Sequence, residues 1–320
     1  MNPVTAFFEQ NIIAVFFFYG LAFFSMGLAL VLAGRQTSAF RLARAIYPLA
    51  LFGILHGMNE WMQMLSLIAE LGGVYVPPVA HDALRLGLLV LSFVMLFLFG
   101  LLLLLPDKLH WRQVYLPAIG IVVGWALVAL WVARRYTLFP NDALRVGDVL
   151  SRYLLAIPGA LLSSWALLKQ QEIFEKHGMP QFGRDLRVCA AALLGYGVIG
   201  QVFVHQTFLY PSNLINDALF LQQFGIPVQL FRAVMATGVA VFMVHALNAF
   251  EVENQRRLEA ANQARLQAQA AAIEAERRII EEKERLNEQL RRKAHELGLL
   301  LEVSNLLATP VSLPGQARRA

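Results

Sequence analysis

The sequence predicts an all-α polytopic membrane protein: a seven-helix transmembrane bundle followed by a long cytoplasmic coiled-coil helix. Three observations carry this expectation. Of the 320 residues, 58% are hydrophobic and only 15% charged, against roughly 45–50% and roughly 25% in an ordinary soluble domain. The apolar residues gather in seven runs, each near the roughly 20 residues a helix needs to cross a hydrocarbon core of about 30 Å. After Phe250 the composition reverses, and residues 251–302 hold ten basic and eleven acidic residues. The expected segments are thus a bundle over 1–250, a coiled coil over 251–306 and a disordered tail over 307–320.

The spans are placed at Ile12–Ala33, Ile46–Ala69, Leu84–Leu105, Val114–Ala133, Val149–Leu168, Val188–Tyr210 and Val228–Phe250. In hydrocarbon only a helix satisfies its own backbone groups locally, so each run is read as one. The first run has no basic leader and no Ala-x-Ala-like ending, so it reads as a retained span rather than a signal peptide. Nine basic residues (Arg35, Arg41, Arg44, Lys108, Arg112, Lys169, Lys176, Arg184, Arg187) fall on one side of such a bundle, and five (Arg85, Arg134, Arg135, Arg145, Arg152) on the other. The basic-residue bias then puts the N-terminus outside and the C-terminus in the cytoplasm of a multi-pass inner-membrane protein. In the connection before span seven, residues Leu214 to Phe224 are compatible with a short interfacial helix between Pro211 and Pro227.

Polar residues inside apolar runs are costly in lipid and usually face a protein interior. Span two is the densest case, with His56, Asn59 and Glu60 in GILHGMNEW. His56 and Glu60 are four apart and share a helix face. Gln201 and His205 in span six and Arg232 in span seven lie at compatible depth. Glu60 is expected to pair with Arg232 or accept a hydrogen bond from His205, building a polar cluster that is either a ligand pocket or a structural network. Three intramembrane histidines, His56, His205 and His245, raise haem b as an alternative through two axial imidazoles. Their different depths argue against it, and no cofactor, metal or catalytic residue is expected. The lone Cys189 gives neither a disulfide nor a cysteine metal site. The Gly53/Gly57 and Gly120/Gly124 pairs both have the spacing of close helix contact.

Beyond Phe250 the chain is rich in Ala, Glu, Gln, Arg and Leu, with no proline before Pro310. These residues lose little side-chain freedom in a helix. A heptad frame sets Leu266, Ile273, Ile280 and Asn287 at a, with Leu290 and Leu297 at d. The β-branched a positions favour two strands, and Gln269, Glu276, Lys283 and Asn287 weaken the seam. A weak seam in a homodimer keeps alternative packings close in energy, as signal transmission requires. The basic residues of this segment are matched by acidic ones and lack interleaved aromatics, so no nucleic acid is expected as a partner. The lipid bilayer is.

Span one (YGLAFFSMGLALVLAGRQTSAFRLAR), span two (LALFGILHGMNEW) and the exit helix (ERLNEQLRRKAHELGLLLEVSNLLA) together resemble the input half of a bacterial membrane sensor histidine kinase. The resemblance implies a sensory bundle whose exit helix leads into a GAF, PAS or kinase module, acting on an output module in cis or in trans. The phosphoacceptor pattern of that family is not kept. His295-Glu296-Leu297 continues as Gly298-Leu299-Leu300, without the family's Arg and Pro, and His295 reads as a coiled-coil surface residue. The alternative function is a transporter or small-molecule carrier with a dimerisation stalk, although no inverted repeat or repeated broken helix is visible.

Overall fold

The computed structural model describes residues 3–34, 41–73, 78–106, 111–176 and 179–308. Its helices are α1 (Pro3–Gln10), α2 (Ile12–Ala33), α3 (Arg41–Leu71), α4 (Pro78–Leu104), α5 (Trp111–Arg135), α6 (Pro140–Ser151), α7 (Ile157–Lys176), α8 (Pro180–Leu194), α9 (Gly200–Val202), α10 (Asp217–Phe224) and α11 (Val228–Ala308). Two π-helical turns, Arg152–Ala156 and Gly195–Ile199, join α6 to α7 and α8 to α9. Among the described residues the β-structure is one isolated bridge, Val204 to Asn216.

Among the described residues six helical stretches are long and apolar enough to cross a membrane: Ile12–Ala33, Val79–Leu104, Arg112–Arg135, Pro140–Lys176, Pro180–Val202 and Val228–Asn248. The chain is an all-α polytopic membrane protein with a long terminal helix. The expected second span, Ile46–Ala69, lies within α3 but is not one of the six. At 31 residues α3 is long enough, but His56, Asn59, Glu60 and Gln63 dilute its apolar residues. It nonetheless packs along both α2 and α4. The fifth expected run extends to the 37-residue stretch Pro140–Lys176. The sixth stops at Val202 rather than Tyr210, because Phe203 leaves the helical region with φ −84° and ψ 81°.

Helices α2 and α3 approach closely because glycine lines their contact. A Cβ on Gly57 would stand 2.7 Å from the Gly20 carbonyl oxygen, and one on Gly53 would stand 2.7 Å from that of Phe23. The second glycine pair behaves differently: a Cβ on Gly120 or Gly124 would meet nothing within 4 Å. Helix α5 leaves Leu127 and Trp131 outward, as suits a lipid-facing helix. The core is aromatic, with Tyr19, Phe23, Phe52, Phe93 and Tyr196 fully buried.

By internal contacts the chain divides into two compact units, 1–254 and 255–320. In the second unit the described residues are helical to Ala308. Leu266, Ile273, Ile280, Leu290 and Leu297 are all at least half exposed there, and Asn287 and His295 are exposed as well. Most of the expected tail, residues 309–320, lies outside the described residues.

Candidate functional site: a buried arginine and carboxylate cavity

The site begins at His56, halfway along α3 and with no exposed surface. Its ring is enclosed by aromatic neighbours, the nearest being Phe23 at 4.6 Å between centroids. Phe52 and Phe93 follow at 5.5 Å. Both ring nitrogens are engaged. Ser92 Oγ donates to the Leu89 carbonyl at 2.7 Å, so its lone pair faces His56 Nδ1 at 3.3 Å. That assigns the proton of a neutral ring to Nδ1 and leaves Nε2 as an acceptor. The hydroxyls of Tyr19 and Tyr196 both reach Nε2 at 3.1 Å. Iron could bind there only by displacing one of these partners. Among the described residues no group of three or more His, Cys, Asp or Glu is arranged to hold a metal ion.

One turn along α3, Glu60 is 1% exposed. It accepts from Asn59 Nδ2 at 3.0 Å, and its Oε1 lies 3.6 Å from His56 Nε2. Glu60 also forms part of the wall of a cavity of about 60 Å³.

The lining also carries Asp148, 1% exposed, which uses both carboxylate oxygens on arginine. Oδ1 accepts from Arg152 Nε at 2.7 Å, and Oδ2 lies 3.1 Å from Arg85 Nη1. Arg152 extends the network by donating from Nη1 to Gln201 Oε1 at 3.0 Å. Local backbone geometry places these groups. Arg152 opens the first π-turn and Tyr196 lies within the second, and π-turns are frequent at functional sites because they rotate one residue out of the α-helical series.

Arg232, in the second turn of α11 and 4% exposed, lines the same cavity. Its Nε donates to the Gly200 carbonyl at 2.8 Å and its Nη2 to that of Phe203 at 3.0 Å. These carbonyls are available because α9 ends there, leaving orphan acceptors at a helix terminus. Among the described residues Arg232 has no carboxylate within ion-pair distance. His205 joins the lining, and its buried Nε2 has no hydrogen-bond partner among the described residues. Burial holds the His205 imidazole below its ordinary range, and the pull of Asp148 and Asp217 opposes this only in part.

A cap closes this end of the bundle. Asn216 accepts from the Leu219 N–H at 3.0 Å and starts α10, and Gly225 ends it in the left-handed region at φ 73°. Thr5 Oγ1 on α1 donates to the Gly225 carbonyl at 3.3 Å. A neighbouring recess of about 260 Å³ reaches from Glu9 and Ile12 to Asp217, Val228 and Gln229, and these last three also line the polar cavity.

The structure thus brings Glu60, His205 and Arg232 to one cavity and ties His56, Asn59 and Gln201 to its walls. The expected direct partners differ: Glu60 is held by Asn59, and Arg232 by backbone carbonyls. His245 stands apart, with its Nδ1 2.7 Å from Asp185 Oδ2. Sequence reasoning missed Arg85, Asp148 and Arg152, counting the two arginines with the connections and giving Asp148 no role. The signal was present as Asp148-x-x-x-Arg152, the same four-residue spacing that singled out His56 and Glu60. Comparison of the chain with family models, curated proteins and solved structures finds no match.

Proposed function

We propose that the chain is the sensory input region of a two-component-type signalling protein. In this reading seven spans, α3 included, surround a sensing cavity on the outer side. α11 carries its state to a dimeric cytoplasmic coiled coil and from there to a histidine kinase or other output module, in cis or in trans. The observation that carries the reading is the position of Arg232. It lines the polar cavity from the second turn of α11, and the same helix runs through Leu266, Ile273 and Ile280 to Ala308. A shift of Arg232 against the carbonyls of Gly200 and Phe203 therefore acts on a helix without a proline or glycine until Gly298, apart from Gly238. Helical continuity transmits displacement that a flexible linker would absorb. The half-exposed leucines and isoleucines of the seam are the apolar stripe a second copy would cover.

The engagement of Arg85 and Arg152 in the site supports the inner-membrane orientation with the N-terminus outside. Withdrawn from the connection tally, they leave nine basic residues against three, a clearer bias than nine against five.

The test is disulfide crosslinking of the full chain in native membranes, with Cys189 replaced by Ala and single cysteines at Leu266, Ile273 and Ile280. The expected result is dimer crosslinking at these positions, in proportions that change when Arg232→Gln is introduced. Seam crosslinks indifferent to Arg232, or none at any seam position, would overturn the reading. Solute flux into vesicles that depends on Arg232 would replace it with the carrier function.

A further inference from the structure

We infer that the cavity between Glu60, Asp148 and Arg232 is a binding site for a small monocarboxylate anion. Three guanidinium groups converge there, those of Arg85, Arg152 and Arg232, from α4, the first π-turn and α11. Among the described residues two buried carboxylates line the cavity with them, and the partly exposed Asp82 reaches Arg85 Nε at 4.0 Å. Asp148 is shared between Arg85 and Arg152, and Glu60 accepts from Asn59 Nδ2. The third carboxylate of the lining, Asp217, is only half buried and accepts the Ala218 N–H at 2.9 Å. Arg232 therefore stands among neutral carbonyl acceptors with its charge uncompensated by any described carboxylate in contact. A buried cation without a counter-charge is costly, and an anion in the cavity removes the imbalance.

Three further properties select the class of anion. The Nε2 of His205, without a partner among the described residues, gives the lining a ring nitrogen with hydrogen-bonding capacity still unused. Guanidinium groups match the planar two-oxygen edge of a carboxylate better than a spherical ion. The cavity of about 60 Å³ favours a small anion such as formate or acetate over an aromatic acid. A cationic ligand fits poorly, because both oxygens of Asp148 are already occupied by arginine. The recess reaching Glu9 and Leu221 shares Asp217, Val228 and Gln229 with the cavity and gives the anion its approach.

This inference rests on the sensory reading for its role in signalling, but the binding is measurable apart from it. The purified full-length chain in lipid nanodiscs is titrated with sodium acetate at constant ionic strength set by sodium chloride. Sodium benzoate and methylammonium chloride serve as probes of size and charge. Saturable binding and thermal stabilisation by acetate are expected, without either from benzoate or methylammonium. Arg232→Gln weakens acetate binding about tenfold to a hundredfold, the range of a charged hydrogen bond, whereas Arg135→Gln on the exposed end of α5 leaves it unchanged. Gln229→Glu, nearly isosteric, supplies a resident carboxylate; it should raise stability without acetate and abolish the response to acetate, an outcome that does not depend on whether Arg232→Gln folds. Equal stabilisation by acetate and chloride, or an acetate response that survives both Arg232→Gln and Gln229→Glu, would overturn the proposal. Acetate binding that leaves the seam crosslinks unchanged would uphold the site and sink the sensory reading; Arg232-dependent crosslinks without acetate binding would do the reverse.

Discussion

Arg152 Nε lies 2.7 Å from Asp148 Oδ1, one turn earlier in the same helical run, with both side chains almost completely buried. The second oxygen of Asp148 holds Arg85 on α4, so a single carboxylate clamps two helices. Asp148→Asn leaves two guanidiniums without their shared counter-charge and is expected to destabilise the bundle by about 3–5 kcal/mol, the usual effect of breaking a buried pair from one side. Adding Arg152→Gln should recover part of that loss, because the residues share one network. Unfolding of the purified protein by graded detergent exchange measures both; additive losses would show that the clamp is not a coupled unit.

His56 Nε2 faces two tyrosine hydroxyls at equal distance, and its single lone pair needs only one of them. Tyr19→Phe or Tyr196→Phe alone is therefore expected to cost under about 1 kcal/mol. The double substitution strands a buried acceptor and should cost about 1–3 kcal/mol more than the sum of the two. The same detergent titration reads the coupling. A double variant that is merely additive would refute the shared-acceptor geometry.

Much of this arrangement was legible in the sequence, and the limits were physical. Apolar runs of span length fixed the helical class, because lipid permits few alternatives. The pair His56 and Glu60 stood out because two costly residues share a face. Span two itself is the weakest by apolarity, since the residues that make the site are those that dilute its signal. Arg85 and Arg152 were hidden for the opposite reason. Near an apolar run an arginine can snorkel to water or turn inward, and sequence spacing does not separate the two. Tyr19, Ser92 and Tyr196 gave no signal because a lone hydroxyl in an apolar run is ordinary. The backbone carbonyls that hold Arg232 are invisible to any residue pattern, since they arise where α9 ends.

The two glycine pairs share one spacing but not one environment. Gly57→Ala would press a methyl against the Gly20 carbonyl and the Phe24 backbone nitrogen, at 2.7 and 2.8 Å. It should cost about 1–3 kcal/mol as overpacking at the contact of α2 and α3. Gly124→Ala meets open space and should be neutral or slightly stabilising, since alanine is the better helix former. Thermal denaturation of the two variants in the same nanodiscs compares them, and equal effects would contradict the close approach of α2 and α3.

His205 makes the bundle sensitive to acid in a defined direction. Burial lowers its pKa, so the unfolded chain takes up a proton near the ordinary value of about 6.5 while the folded chain still excludes it. The unfolded state then binds more protons, and stability rises with pH across that interval. The contribution is complete above about pH 6.5, declines as the pH falls below it, and is gone once the pH passes the lower folded value. Asp148 and Asp217 draw the proton in and Arg152 and Arg85 repel it, so replacing Asp148 by Asn should steepen the decline. His205→Gln should flatten it. An anion in the cavity favours the protonated ring, so acetate at saturating concentration should reduce the loss on acidification in the unmodified chain and not in His205→Gln. Stability measured from pH 8 to pH 5 with and without acetate distinguishes these cases, and identical pH profiles for the two proteins would assign the acid response to another group.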